Sequence, residues 1–198
     1  MQLATPEAAF VSHQGSEKSA ISRSGKALCG RLRAPGDKSV SHRALILAAL
    51  AQGESRIRGL LESGDVLATA RATAALGAGV HRDAEGWRIV GTGGRFTRPG
   101  APLDLGNSGT GVRLLMGAVA GTGATADFVG DSSLSSRPMA RVLDPLAAMG
   151  AECTSTGGRL PVRLTGAPLK AIDWTPQMAS AQVKSAILLA ALGAQGET

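Results

Sequence analysis

Ala34-Pro35-Gly36-Asp37-Lys38-Ser39-Val40-Ser41-His42-Arg43 leads into Ala44-Leu45-Ile46-Leu47-Ala48-Ala49-Leu50-Ala51, and the run closes at Gly53-Glu54-Ser55. Pro35 and Gly36 break an incoming strand, and the apolar stretch 44–51 reads as the helix that follows. A helix start offers unpaired N–H groups and the positive end of the helix dipole. With Lys38, Ser39 and Arg43 placed there, the pattern reads as a trap for a phosphate or a carboxylate.

The same plan returns with a period of about 70 residues. Apolar helices close on Gly53-Glu54-Ser55, Gly123-Ala124-Thr125 and Gly196-Glu197-Thr198, and in the first two an arginine (Arg43, Arg113) precedes the glycine by the same interval. A short β-like run follows, Arg56-Ile57-Arg58-Gly59-Leu60 in one copy and Ala126-Asp127-Phe128-Val129 in the next. Second helices then begin near Asp65 and Pro138, with apolar residues at 3–4 spacing, and end at Gly77 and Gly150, which suit left-handed caps. Paired strands are expected at 80–82 with 87–90, and at 152–154 with 162–164. The unit is helix–strand–helix–strand–strand, each preceded by an incoming strand, which sets the class as α/β. The third copy, with its helix at 181–192, breaks off at Thr198 where its next strand is due, so the expectation is a fragment of a longer protein.

Composition narrows the functions. Hydrophobic residues make up 43% but aromatics only 3%, so the core has to be built from Ala, Leu, Val and Ile, with 27 glycines for turns and close approach. The net charge of +6 and pI near 10.1 admit nucleic acid, a membrane surface or small polyanions. The basic residues are dispersed, and few rings are available to stack on bases, which disfavours single-stranded nucleic acid. Cys29 and Cys153 are far apart, which indicates neither a zinc site nor a disulfide framework and favours a reducing cytoplasm. No run reaches membrane-spanning length. Residues 1–24 are polar and rich in small side chains, and are expected to be a disordered extension.

Three further constellations sit at helix entrances. Leu105-Gly106-Asn107-Ser108-Gly109-Thr110-Gly111-Val112-Arg113 combines glycines for close backbone approach with hydrogen-bonding side chains. Asp131-Ser132-Ser133-Leu134-Ser135-Ser136-Arg137-Pro138 delivers an arginine to a helix start. Met178-Ala179-Ser180-Ala181-Gln182-Val183-Lys184-Ser185 opens the third helix. Each alone is an ordinary capped turn; together they put cations and hydroxyls at successive helix mouths. The first stretch is not a P-loop, because Gly30 to Gly36 is one residue too long and Asp37 precedes the lysine; the second is GxxGxG, not a dinucleotide fingerprint. Asp37, Asp65, Asp131 and Asp144 read as caps and turn formers. His42 borders the Lys38 site without an apparent partner acid, while His13 and His81 carry no signal. No metal cluster is present in the sequence.

The four motifs, in order and register from about Ser24 to Thr198, closely resemble the 5-enolpyruvylshikimate-3-phosphate (EPSP) synthase family, in the bacterial form often called class II. The resemblance implies an inside-out α/β barrel domain built from βαβαββ units and interrupted here in the third. Residues 25–36 would be a first strand that belongs with a second domain, and 37–198 an incomplete N-terminal domain. It implies transfer of the enolpyruvyl group of phosphoenolpyruvate to the 5-hydroxyl of shikimate 3-phosphate, with no metal or redox cofactor, by a monomeric cytoplasmic protein with neither nucleic-acid nor membrane partners. Lys38 would touch both substrates; Ser39, Arg43, Ser180, Ala181 and Gln182 would hold shikimate 3-phosphate. Gly109 and Arg137, with Gln182, would bind phosphoenolpyruvate, and Asn107, Thr110 and Arg113 would shape that pocket. Gly109 rather than Ala implies less steric protection against glyphosate. The acid and base groups would lie beyond this chain, leaving the fragment inactive. The nearest rival, a UDP-N-acetylglucosamine enolpyruvyl transferase, would show Lys-Asn in place of Lys38-Ser39 and a loop cysteine near the donor site. A basic nucleic-acid-binding module is the reading from a different class.

Overall fold

The computed structural model describes residues 29–198. The extension expected over 1–24 and the start of the strand expected over 25–36 lie outside them. Residues 29–37 form no helix or strand. Gly36 lies against the backbone at 59–61, so close that a Cβ on it would sit 2.1 Å from the Gly59 carbonyl oxygen.

Asp37 starts the first helix. Its carboxylate accepts the Val40 N–H at 2.7 Å, so α1 spans Lys38–Leu50, longer than the apolar run alone indicated. Lys38 and Ser39 therefore occupy a helical first turn. β1 (Gln52–Ile57), α2 (Gly64–Ala75) and the hairpin of β2 (Gly79–Asp83) and β3 (Gly86–Thr92) complete the first unit, in sheet order β1-β3-β2. The strand expected at 56–60 is displaced, because antiparallel pairing from Gln52↔Thr92 to Ile57↔Trp87 fixes it earlier. Gly53, at φ 86°, thus lies inside β1 and does not close the helix as expected.

The second unit holds β4 (Leu103–Asp104), α3 (Gly109–Thr122), β5 (Ala126–Val129), α4 (Ser132–Ser135), α5 (Ala140–Met149), β6 (Glu152–Thr156) and β7 (Arg159–Thr165). Its sheet runs β4-β5-β7-β6, and the last three strands reproduce the first sheet's order. The short α4 occupies what read as a polar loop. Gly150 is the left-handed cap expected, at φ 112°, and Gly77 follows the Leu76 cap residue at φ 104°; Gly123, which closes α3, is left-handed too, at φ 69°. The third unit contributes β8 (Leu169–Lys170), α6 (Ala181–Ala191) and β9 (Ala194–Gln195). β8 pairs parallel with β9 as β4 does with β5, so the strand expected only past Thr198 is already present.

The helices form the inside and the sheets the outside. Leu45, Ile46, Leu115, Met116, Val119, Ala186 and Ala190 are completely buried, whereas β1 is largely exposed. α3 is buried along nearly its whole length, consistent with a helix that has no polar face. The aliphatic composition has its counterpart in spacing. A Cβ on Gly117 would lie 2.1 Å from the Ala186 carbonyl oxygen, and one on Gly193 would lie 1.6 Å from that of Gly121. α3 and α6 therefore meet backbone to backbone.

Replacing Gly117 with alanine tests this. Alanine gains roughly 1 kcal/mol of helix propensity, but the obstructing atom is main chain and cannot rotate away. Overpacking of this kind costs about 1–3 kcal/mol, so urea denaturation of Gly117→Ala should show a net loss of stability. A midpoint equal to or above that of the parent would refute the close approach.

Candidate anion-binding site

The site grows from helix first turns. At α3, Ser108 caps the helix through the Gly111 N–H at 3.1 Å and is itself fully buried. One turn on, Arg113 donates from Nη1 to the Gly109 carbonyl at 2.8 Å and to Gln182 Oε1 at 3.1 Å, and from Nη2 to the Pro138 carbonyl at 3.0 Å. Gln182 in turn donates from Nε2 to Thr110 Oγ1 at 3.0 Å. A single guanidinium thus ties the mouths of α3 and α6 to the segment entering α5. Arg137 completes the group, donating to Asn107 Oδ1 and, at 3.2 Å, to Ser133 Oγ.

Gly109 lies between the two arginines. A Cβ there would sit 2.9 Å from Arg113 Nη1 and 3.0 Å from Arg137 Nη1. Neither arginine has a carboxylate partner among the described residues. Burial lowers the Arg113 pKa, and repulsion from Arg137 and Arg141 lowers it further. Positive charge concentrated beside open helix amides is the electrostatic definition of an oxyanion site.

Lys38 stands in the first turn of α1 and is paired with Asp65 in the first turn of α2. The sequence carries no sign of this pairing and reads Asp65 as a cap. Ser63 takes the cap position instead, which leaves the Asp65 carboxylate free for the lysine. Of the other aspartates, Asp37 and Asp131 are caps as expected, whereas Asp144 lies inside α5, past its first turn. Ser39 is half-buried; Arg43 is exposed and makes no hydrogen bond among the described residues. Ser180 caps α6 through the Val183 N–H at 3.4 Å, leaving Ala181 as the first helical residue.

His42 joins the first three helices. Its ring is fully buried, shares a hydrogen bond with Thr69 Oγ1 on α2 at 2.8 Å, and lies 3.4 Å from where a Cβ on Gly111 of α3 would be. Its partner is thus a hydroxyl one turn beyond Asp65. Asn107, Gly109, Thr110, Arg113, Arg137 and Gln182 form one connected cluster. Lys38 and Ser39 stand on the adjoining helix, linked to it through the His42–Gly111 contact.

Buried helices, outer sheets and helix mouths gathered at one end define an α/β domain of the enolpyruvyl-transferase type. Comparison with known proteins agrees. Residues 22–198 match the EPSP synthase (3-phosphoshikimate 1-carboxyvinyltransferase) family, and the chain belongs to it. It is 64% identical over 177 residues to a 3-phosphoshikimate 1-carboxyvinyltransferase of Maricaulis maris, covering 89% of this chain and 40% of that protein. With the protein of the same name from Afipia carboxidovorans it shares 58% identity over 193 residues, 95% of this chain and 43% of the relative. Its fold matches the solved EPSP synthase of Acinetobacter baumannii with a TM-score of 0.80 at 44% identity, over 84% of this chain and 39% of that one. The chain thus spans about two-fifths of the length of the relatives it matches.

The buried histidine carries a pH signature. Desolvation, with the nearby Lys38 charge, pulls the His42 pKa from 6.5 to about 4. The unfolded chain therefore takes up this proton at higher pH than the folded one. The histidine's share of stability is complete above pH 6.5 and is lost as pH falls toward about 4. Urea midpoints measured across that window should decline less steeply for His42→Gln than for the parent. Equal slopes would place the histidine in contact with water.

Proposed function

We propose that this chain supplies the anion-gripping part of an enzyme that transfers the enolpyruvyl group of phosphoenolpyruvate to the 5-hydroxyl of shikimate 3-phosphate, releasing phosphate on the way to chorismate and the aromatic amino acids. One observation carries the reading: the Arg113 and Arg137 guanidiniums converge on Gly109 without a carboxylate among the described residues to neutralise them. Both substrates bring phosphate and carboxylate groups, the ligands such a place favours.

In this assignment Arg137 and the Gly109 backbone hold phosphoenolpyruvate, with Gln182 reaching it from α6. Ser180, Ala181 through its N–H, and Gln182 hold shikimate 3-phosphate, with Ser39 and Arg43 on the opposite helix. Lys38 leaves Asp65 and bridges the two ligands. Arg113 acts through others, fixing which end of the Gln182 amide faces Thr110. The chemistry asked of these residues is alignment and charge stabilisation: they bring the attacking hydroxyl to the enol carbon and hold the phosphate as it leaves. His42 is buried and takes no part in proton transfer, which this assignment leaves to groups of the complete enzyme outside the 198 residues. Ser39 directly after Lys38 favours shikimate 3-phosphate over a nucleotide sugar as acceptor.

Two measurements test this. In the complete enzyme, Arg137→Ala and Lys38→Ala should each lower kcat/KM for phosphate release by roughly a hundredfold or more, the scale of losing a charge-stabilising donor. Activity equal to the parent, or release with UDP-N-acetylglucosamine but not with shikimate 3-phosphate, would overturn the assignment. The purified 198-residue chain should bind shikimate 3-phosphate weakly, detectable by calorimetry, and show no turnover. Product formation by it would place the proton-transfer groups within this chain.

A further inference from the structure

A cavity of about 290 Å³ opens between α5 and the segment entering α6, lined by Arg141, Asp144, Trp174, Pro176, Gln177, Met178 and Val183. Its two sides differ in chemistry. Val183 is buried, whereas Trp174 and Met178 are exposed at 37% and 57%, unusual for such large apolar side chains. Arg141 and Asp144 stand three residues apart on α5, where helical geometry sets Cβ atoms about 5–6 Å from each other. They nevertheless form no ion pair, either together or with any other described residue. Among the described residues, the one hydrogen bond that Arg141 makes goes to Met178 Sδ at 3.5 Å, and a thioether is a weak acceptor. Asp144 makes none among the described residues. The cavity therefore presents a cation and an anion, neither with a charged partner among the described residues, beside a largely apolar, partly aromatic wall.

That combination selects its ligand. A phosphate or dicarboxylate would satisfy Arg141 but meet repulsion from Asp144, so the anions proposed for the neighbouring site fit poorly. A simple amine has the converse problem. A molecule carrying carboxylate and ammonium on one carbon, with a flat apolar side chain, satisfies both charges and covers the indole. We infer that this cavity binds a free aromatic α-amino acid, its carboxylate on Arg141, its ammonium on Asp144 and its ring against Trp174 and Met178. The inference does not rest on the proposed reaction, since none of these residues has a part in it.

The test uses the 198-residue chain titrated with L-phenylalanine and followed by the indole N–H resonances of Trp87 and Trp174. Trp174 should shift saturably and Trp87 should not. Phenylacetate lacks the ammonium and phenethylamine the carboxylate; each should bind at least roughly tenfold more weakly, the scale of removing one charge-assisted hydrogen bond. Arg141→Gln and Asp144→Asn should weaken phenylalanine binding similarly while leaving the thermal midpoint in place, because both side chains are exposed. No Trp174 shift at the solubility limit would overturn the inference. So would phenylacetate binding as tightly as phenylalanine, which would make Arg141 an extension of the anion site.

Discussion

Everything at the functional end follows from how closely α3 and α6 approach. Gly117 against the Ala186 carbonyl, and Gly121 against Gly193, leave no room for side chains between the two backbones. Contact near the C-terminal ends, together with the Arg113–Gln182 hydrogen bond at the N-terminal ends, requires the two helices to run the same way. The His42–Gly111 contact brings α1 to the same end. Parallel helices place their dipoles side by side with the positive ends together. This arrangement is unfavourable in isolation and is relieved by an anion. A core rich in bulky aromatics would have held these helices apart, so the scarcity of aromatic residues and the abundance of glycine serve the site as well as the fold.

The helix mouths differ in how their charge is balanced. Around Gly109 two guanidiniums bond only to neutral oxygens, and like charges press on Arg113. Removing either cation would ease that repulsion, so the structure carries a local cost for keeping both. Around Lys38 the balance is internal, because Asp65 occupies the ammonium. The first mouth is ready for an anion; the second has to exchange one for another.

Local patterns made the helix starts legible. Hydroxyl or aspartate followed by an apolar run marked α1, α3 and α6, and glycine after the run marked the caps at 123 and 150. The unit plan was legible too, because both hairpins fall where paired strands were expected after the helices. What escaped was set by distant partners. The position of β1 depends on its register with β3, so the β-like run 56–60 misplaced it. Asp65 reads as a cap until Lys38, 27 residues earlier, claims its carboxylate. Thr69 carries no local signal, yet it holds His42. Arg113 was marked by repetition with Arg43, but its bond to Gln182 spans 69 residues and appears only in three dimensions. The repeat gives the two arginines one position but not one environment: Arg43 stands exposed, whereas Arg113 is a hub.

The Lys38–Asp65 pair decides whether the α1 mouth is open. Lys38 is half exposed, and pairs of that kind are worth about 0–1 kcal/mol. A phosphate dianion seated against α1 amides offers the ammonium a stronger, less solvated partner. The pair is thus firm enough to hold the lysine in one orientation and weak enough to yield. Asp65 itself is fixed by α2, which is fastened to α1 through Thr69 and His42. When the lysine departs, the carboxylate stays beside the place where the ligand arrives. Its bare charge then opposes the arriving anion, so only a ligand whose contacts to Lys38 and the α1 amides outweigh that repulsion displaces the pair.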